Sequence, residues 1–307
     1  MRGRTRQTRE IDAARAVRGR AGTLDISPAA FGKGMHWVNW LTGDSALAVL
    51  LRVLLTVYCL VLVWAWVFSD RVAFQPPPPT YNAGEGIQLI GPERHRIAVY
   101  CLENPAASRL VLYAHGNGED LGDLRGMVAE YRDHGFDVCA FDYEGYGISD
   151  GRPSTANAYR DINTVYKYLV NGKGIDPNRI ILHGRSLGAA VALHLATRRP
   201  VSGIIVESAF LTEFRSVTQI PLFPFDKMRN DCEIKKLSYP VLFIHGEDDR
   251  TIRIWQGKEL YRLARALKFA YWVPGAGHDD LMAVAGAGYW KRIRAFADLL
   301  NREKYTL

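Results

Sequence analysis

One apolar run, from Ala46 to Phe68, limits most strongly what this chain can fold into. The run reads ALAVLLRVLLTVYCLVLVWAWVF and contains a single charge, Arg52. As a helix it would be about 34 Å long, enough to cross the roughly 30 Å hydrocarbon core of a bilayer. Arg52 can snorkel at one end, and Trp64 and Trp66 suit the interface at the other. We therefore predict a transmembrane helix over 46–68, because the run is too long for the apolar region of a cleaved signal peptide.

The charge of the chain is concentrated before this run. The formal net charge is +7 over 307 residues. Residues 1–44 hold eight Lys/Arg against four acids, which predicts a basic, disordered tail. The remainder is close to neutral, which argues against a nucleic-acid surface and predicts no nucleic-acid partner. Met35 is an alternative start, and a basic nucleic-acid arm is the alternative interpretation of the tail.

A proline-rich segment follows the apolar run. Pro76–Pro79 cannot continue a helix, so residues 69–80 are predicted to be a stiff linker between anchor and domain. Arg52 and the basic tail favour a cytoplasmic N-terminus. The domain over 81–307 would then lie on the extracytoplasmic side.

The pattern changes in the domain, where short apolar runs alternate with helix-like stretches. This alternation is typical of a parallel α/β sheet with helices on both faces. The predicted strands are Arg96–Cys101, Leu110–Ala114, Asp137–Phe141, Ile180–His183, Gly203–Glu207, Val241–His245 and Ala270–Val273. The predicted helices cover about 119–134, 154–171, 187–198, 253–268 and 283–302. Ligands of such sheets bind at the carboxyl ends of the strands.

Two segments match the pattern G-x-S-x-G, centred on Ser149 and Ser186. A nucleophile in this pattern needs a strand before it and a helix directly after it. Ser186 follows the apolar strand ending at His183 and precedes LGAAVALHLA, whereas Ser149 precedes a loop containing Pro153. Ser186 is therefore the predicted nucleophile and Ser149 a turn residue.

A serine nucleophile needs a base, an acid and donors for the oxyanion. In this topology the acid and then the histidine follow the serine in the chain. His278, in a glycine-rich loop after the last predicted strand, is the predicted base, and Asp248 or Asp249 the acid. The backbone N–H groups of Asn117 and Leu187 are the predicted oxyanion donors.

Together these segments resemble the α/β-hydrolase family over residues 85–302. The similarity is carried by HGNG (115–118), FDYEGYGIS (141–149), GRSLG (184–188), HGEDD (245–249) and GAGH (275–278). The second segment resembles the compact branch that contains lysophospholipases, monoacylglycerol lipases and protein depalmitoylases.

The resemblance implies further properties. In this branch the acid is the last residue of H-G-x-x-D, here Asp249. The family uses no cofactor and no metal. Its lid follows the sixth strand, which implies a short lid at about 210–239 containing IPLFPF. The expected protein is a membrane-anchored serine hydrolase that acts on carboxylic esters or thioesters of lipid-like or acylated substrates through an acyl-enzyme.

Three alternatives remain. A serine peptidase has the same fold, and a membrane-tethered binding protein could use it without catalysis. His115, His183 and His245 all end predicted strands, which would suit a metal site, but no carboxylate set accompanies them. The four cysteines form no CxxC pair and are too few for a disulfide scaffold. The oligomeric state, the acyl length and the leaving group are left open by the sequence.

Overall fold

A computed structural model describes residues 45–302 of the chain, so the predicted basic tail over 1–44 lies outside the described residues. Helix α1 spans Ala46–Ala73 and is long and apolar enough to cross a membrane, by its length and composition. It continues five residues past the predicted end at Phe68, because the first residue that cannot continue a helix is Pro76. The chain divides into two compact units after Val63, and the second unit is Trp64–Leu307.

The second unit is built around one sheet of eight strands. The strands are β1 (Ile87–Ile90), β2 (Ile97–Leu102), β3 (Leu110–Ala114), β4 (Asp137–Phe141), β5 (Ile180–Arg185), β6 (Gly203–Glu207), β7 (Val241–Gly246) and β8 (Lys268–Val273). They lie in the order β1-β2-β4-β3-β5-β6-β7-β8. The β1–β2 and β2–β4 pairs are antiparallel, and all other pairs are parallel. The mostly parallel sheet is as predicted from the sequence.

Strand β1 is the one strand of this sheet that the sequence analysis did not identify. It has four residues at the edge of the sheet, between Gly86 and Gly91, which both have positive φ. A four-residue run between glycines gives little periodicity. It forms a strand because its backbone pairs with β2, with Ile87 opposite Tyr100 and Ile90 opposite Ile97.

Helices cover both faces of the sheet. They are α2 (Arg125–Asp133), α3 (Thr155–Lys167), α4 (Leu187–Ala196), α5 (Glu213–Thr218), α6 (Asn230–Glu233), α7 (Ile254–Leu263), α8 (Leu281–Ala285) and α9 (Ala287–Arg302). The predicted last helix is split at Gly286, whose φ of 52° ends α8. Neighbouring strand residues enter two separate cores, so that Leu112 packs on one face and Val111 on the other. Burial on both faces explains why the central strands are apolar along their whole length.

Two short helices, α5 and α6, lie in the segment between β6 and β7. This segment coincides with the lid predicted over 210–239. Its aromatic residues contact each other, with ring centroids 4.9 Å apart for Phe214 and Phe223 and 5.8 Å apart for Phe214 and Phe225. Val217 is 73% exposed, so the segment presents apolar side chains to its surroundings.

Cys101 on β2 and Cys139 on β4 are directly opposite each other and form a disulfide. This pairing was not predicted, because disulfide connectivity cannot be deduced from cysteine spacing alone. It joins two adjacent strands, on the antiparallel side of the sheet.

Candidate active site

Ser186 occupies the turn between β5 and α4, the strand-turn-helix setting predicted for it. Its φ is 54° and its ψ is −114°, a conformation that L-residues rarely adopt. The two flanking glycines allow this turn. A Cβ on Gly184 would lie 2.2 Å from the carbonyl oxygen of Gly188, and a Cβ on Gly188 would lie 2.0 Å from that of Ala114. Only glycine permits the helix to approach the sheet so closely.

The structure brings Ser186, His278 and Asp249 into one hydrogen-bonded series. Ser186 Oγ donates to His278 Nε2 over 3.1 Å, and His278 Nδ1 donates to Asp249 Oδ2 over 2.8 Å. Asp249 is 3% exposed, whereas its neighbour Asp248 lies on the surface. The arrangement can transfer a proton from the hydroxyl to the imidazole while the carboxylate orients the ring and stabilises its charged form.

The loop after β7 holds the Asp249 carboxylate in position to accept the hydrogen bond from the His278 ring. Its Oδ1 accepts hydrogen bonds from the N–H groups of Thr251 (2.9 Å) and Ile252 (2.8 Å). His245 Nε2 donates to the carbonyl oxygen of Ile252 over 2.8 Å and lies 3.3 Å from Asp249 Oδ2. Burial alone would raise the pKa of Asp249, but the hydrogen bonds from His245 and His278 hold that pKa well below its ordinary value.

The two predicted oxyanion donors line the cavity that contains Ser186 and His278. Leu187 is the first residue of α4, so its N–H has no acceptor within the helix. The loop with Asn117 is fixed on two sides, because Tyr146 donates to the Asn117 carbonyl (2.9 Å) and the Asn117 side chain donates to the carbonyl of Ala73 (3.2 Å). Such N–H groups can stabilise a negative charge that develops next to Ser186.

Arg185, the residue before Ser186, connects two loops of the site. Its guanidinium pairs with Glu119 and donates to the carbonyl of His278 (3.0 Å) and to Asp279 (2.8 Å). Glu119 in turn accepts a hydrogen bond from the N–H of Gly116 over 3.0 Å. Neither Arg185 nor Glu119 was predicted from the sequence as a residue of the site. The available signal was the charged residue inside the G-x-S-x-G motif.

The other residues considered from the sequence as nucleophile or metal ligands each contact partners of their own. Ser149 Oγ donates to the Asp142 carbonyl (3.0 Å) and accepts from the Ala98 N–H (2.9 Å), so it fastens a turn. His115 Nε2 lies 3.3 Å from Asp142, and His183 Nε2 lies 3.2 Å from Glu207. Within residues 45–302 there is no cluster of three or more His, Cys, Asp or Glu side chains able to hold a metal ion.

The fold is that of α/β hydrolases, and the comparisons with known proteins agree. The family model described as "Serine aminopeptidase, S33" matches residues 105–225. Alpha/beta hydrolase domain-containing protein 17B of Xenopus laevis is 30% identical over 267 residues, which cover 76% of this chain and 92% of that protein. The chain belongs to the α/β-hydrolase family.

Two further similarities have narrower scope. Alpha/beta hydrolase domain-containing protein 17C of Homo sapiens is 33% identical over 196 residues, which cover 62% of this chain and 59% of that protein. The solved structure of a Pyrococcus furiosus esterase matches with a TM-score of 0.61 and 16% identity over 74% of this chain and 99% of that chain. The structural match concerns the fold alone. The family-model match includes Ser186 but ends before Asp249 and His278.

Proposed function

We propose that this protein is a membrane-anchored serine hydrolase that cleaves carboxylic ester or thioester bonds of lipid-like or acylated substrates. The observation that carries the proposal is the hydrogen-bonded series from Ser186 through His278 to Asp249 beside a cavity of about 1110 Å³. A serine that is already hydrogen-bonded to an oriented imidazole is the arrangement that acyl transfer requires.

The proposed reaction has two stages. His278 takes the hydroxyl proton as Ser186 Oγ attacks the carbonyl carbon, and the N–H groups of Asn117 and Leu187 stabilise the oxyanion. His278 then protonates the leaving alcohol or thiol, and an acyl-enzyme remains. Water, deprotonated by His278, attacks the acyl-enzyme and releases the carboxylic acid and Ser186. The reaction needs no cofactor.

A fluorophosphonate probe tests this assignment on the full chain. The probe should label Ser186 once, as identified by mass spectrometry of the modified peptide. Turnover of p-nitrophenyl esters of increasing chain length, with acyl thioesters in parallel, should then give the preferred substrate. Absence of both labelling and turnover would reject a serine hydrolase and favour the tethered binding protein.

A serine peptidase of the same fold is the second candidate, because the matching family model bears the description of an aminopeptidase. Aminoacyl p-nitroanilides separate the two activities. Faster turnover of these amides than of acyl esters at equal concentration would favour the peptidase.

The location of the domain is also part of the proposal. We place it on the extracytoplasmic side, because the positive charges precede α1 and because disulfides such as Cys101–Cys139 persist in oxidising compartments. A phosphatase fused to the C-terminus should be active in cells. An inactive phosphatase, together with free thiols at Cys101 and Cys139 in freshly lysed cells, would place the domain in the cytoplasm.

A further inference from the structure

The cavity beside Ser186 has an apolar wall that belongs to helix α1. Trp64, Ala65 and Val72, all on α1, line the same cavity as Ser186 and His278. These three residues lie in the compact unit Trp64–Leu307 together with the whole candidate active site. The end of α1 is therefore a part of the cavity and not merely a connection to it.

Polar contacts hold this end of α1 in place. Asp70 accepts a hydrogen bond from the hydroxyl of Thr155 (2.8 Å) and pairs with Lys227 Nζ (3.1 Å). The carbonyl of Ala73 accepts the hydrogen bond from the side chain of Asn117. The same turn of α1 thus fixes both the lid segment, through Lys227, and the loop of the proposed oxyanion donor.

A second part of the lining comes from the lid segment. Phe214, Val217 and Phe223 line the cavity, and Trp66 on α1 meets the lid residue Phe225 edge to face with centroids 5.2 Å apart. Two apolar surfaces thus contribute to the lining of the cavity, and one of them is the end of a candidate membrane-spanning helix. A long acyl chain fits such a space chemically, because each buried methylene strengthens binding about fourfold.

The polar groups of the same cavity favour a negative charge on the ligand. Arg250 and Arg253 line it, are exposed, and form no ion pair with any residue that the structure describes. The carboxylates of Glu119 and Asp279, by contrast, are both paired with Arg185. Glu213 is the third acid in the lining, and burial raises its pKa to about 7. Unpaired guanidinium groups bind phosphate with charge-assisted hydrogen bonds.

We propose that Trp64, Ala65 and Val72 of α1 form one wall of a binding groove for the acyl chain of a membrane lipid, whose anionic head group contacts Arg250 and Arg253. This site rests on the proposed hydrolase function, because it places the scissile carbonyl next to Ser186. The bilayer around α1 would supply the substrate, whose chain passes from the membrane into the groove along the helix.

A photoaffinity probe tests the position of the chain. A long-chain alkyl fluorophosphonate with a terminal diazirine is added to the full-length protein in lipid vesicles. After reaction with Ser186, we expect cross-links in residues 64–73 or 210–225. Labelled Ser186 with cross-links only elsewhere would overturn the groove and leave the hydrolase standing. If Ser186 is not labelled, the hydrolase fails, and a diazirine fatty acid without the phosphonate tests the groove by the same mapping.

A pair of variants on one helix tests the wall. Val72 lines the cavity, whereas Val67 is exposed on the same helix and does not line it. We expect Val72→Trp to lower the ratio of kcat/KM for a sixteen-carbon ester to that for a four-carbon ester by at least tenfold. Val67→Trp should leave the ratio unchanged. An unchanged ratio in Val72→Trp, or an equal fall in both variants, would overturn the role of α1.

The head-group contact is tested with lysophosphatidylglycerol, lysophosphatidylcholine and a palmitoylated peptide thioester, each presented in the same vesicles. The wild-type protein should cleave the anionic lipid fastest. The Arg250→Gln/Arg253→Gln double variant should lose that preference by about fivefold or more, while Arg294→Gln, an exposed arginine on α9 away from the cavity, should keep it. Equal cleavage of both lipids would overturn the anionic head, and faster cleavage of the thioester would replace the lipid with an acylated protein.

Discussion

The reaction centre and the groove beside it are built in different ways. Around Ser186, the backbone and buried polar groups fix each reacting atom. The serine has a φ of 54°, the Asp249 carboxylate accepts hydrogen bonds from two backbone N–H groups, and Arg185 connects two loops. The groove consists mainly of apolar side chains from α1 and the lid, several of them exposed. The proposed chemistry would therefore depend on the fold of the sheet, whereas the proposed choice of substrate would depend on side chains that can change without disturbing the sheet.

Removal of the nucleophile should give the largest effect. Ser186→Ala should lower kcat at least 10³-fold, because the remaining site can only position the substrate. The measurement is turnover of a short-chain p-nitrophenyl ester together with fluorophosphonate labelling.

The matched variant is Ser149→Ala, which changes the other G-x-S-x-G serine. The Ser149 hydroxyl bonds to the backbone groups of Ala98 and Asp142, so this variant should keep most activity per folded molecule. Labelling that survives in Ser186→Ala would show that the centre of reaction lies elsewhere.

Replacement of the proposed acid, Asp249, should lower kcat nearly as much as removal of the nucleophile. Asp249→Asn removes the charge that orients and stabilises the His278 ring, and we expect kcat to fall at least 10²-fold, by analogy with the loss of about 10⁴ in a serine protease. Circular dichroism should show an intact fold.

The adjacent carboxylate provides the control, because Asp248 is exposed. Asp248→Asn should change kcat less than about threefold, as surface substitutions usually alter stability by no more than about 0.5 kcal/mol. Interchanged results would assign the acid to Asp248, and two silent variants would direct attention to Asp279 and Asp280.

Replacement of Arg185, which joins two loops of the site, should have an intermediate effect on kcat. Arg185→Met leaves Glu119 and Asp279 without their partner and releases the His278 carbonyl. A displacement of about 1 Å at a reacting group can cost about 10²-fold. We expect kcat to fall about 10-fold to 100-fold, measured at saturating ester.

Labelling by fluorophosphonate should also slow in Arg185→Met, whereas Arg294→Met on the surface of α9 should behave as wild type. A rise in KM with kcat unchanged would instead mean that Arg185 binds substrate and does not position the loops.

Replacement of Glu213, which lines the groove, should have the smallest effect on activity and a measurable effect on the free energy of unfolding. Glu213 is 7% exposed, and its burial raises its pKa to about 7. Lys227 opposes this rise, whereas the neighbouring acids Asp70 and Asp226 add to it. Between pH 4.5 and 7 the folded protein keeps a proton that the unfolded chain has lost, so this group lowers stability as the pH rises. At pH 8 the full penalty is present.

Glu213→Gln should therefore raise the free energy of unfolding by roughly 1–3 kcal/mol at pH 8 and change it little at pH 4, as measured by chemical denaturation. Glu247→Gln, at an exposed position, is the control and should shift stability by less than about 0.5 kcal/mol at both pH values. Equal stabilisation at pH 4 and pH 8 would contradict the buried, protonated carboxyl.

The sequence predicted the sheet and the strand-turn-helix setting of Ser186 because both depend on local patterns. Apolar runs, glycines and the strand-turn-helix setting of Ser186 all lie within short segments. The choice between Asp248 and Asp249 needed family resemblance, since alternation along a loop does not say which side chain faces the site. Strand β1 was missed because its pairing with β2, and not its composition, makes it a strand.

The contacts that support the site could not be predicted, because they join distant parts of the chain. Arg185 and Glu119 are 66 residues apart, and Arg185 and His278 are 93 apart. The same holds for the carbonyl of Ala73 and the side chain of Asn117, 44 residues apart. The sequence predicted a transmembrane helix over 46–68 and a linker after it, but the five further helical residues meet the candidate site only once the chain has folded.

The positive φ of Ser186 has a consequence for the evolution of this molecule. A residue with a side chain in that conformation costs on the order of 1–3 kcal/mol, and glycine would avoid most of it. The proposed nucleophile therefore makes the folded protein less stable than glycine at the same position would. In a population selected only for heat resistance, we expect glycine to replace serine at position 186. Retention of serine there in heat-adapted variants would indicate continuing selection for catalysis.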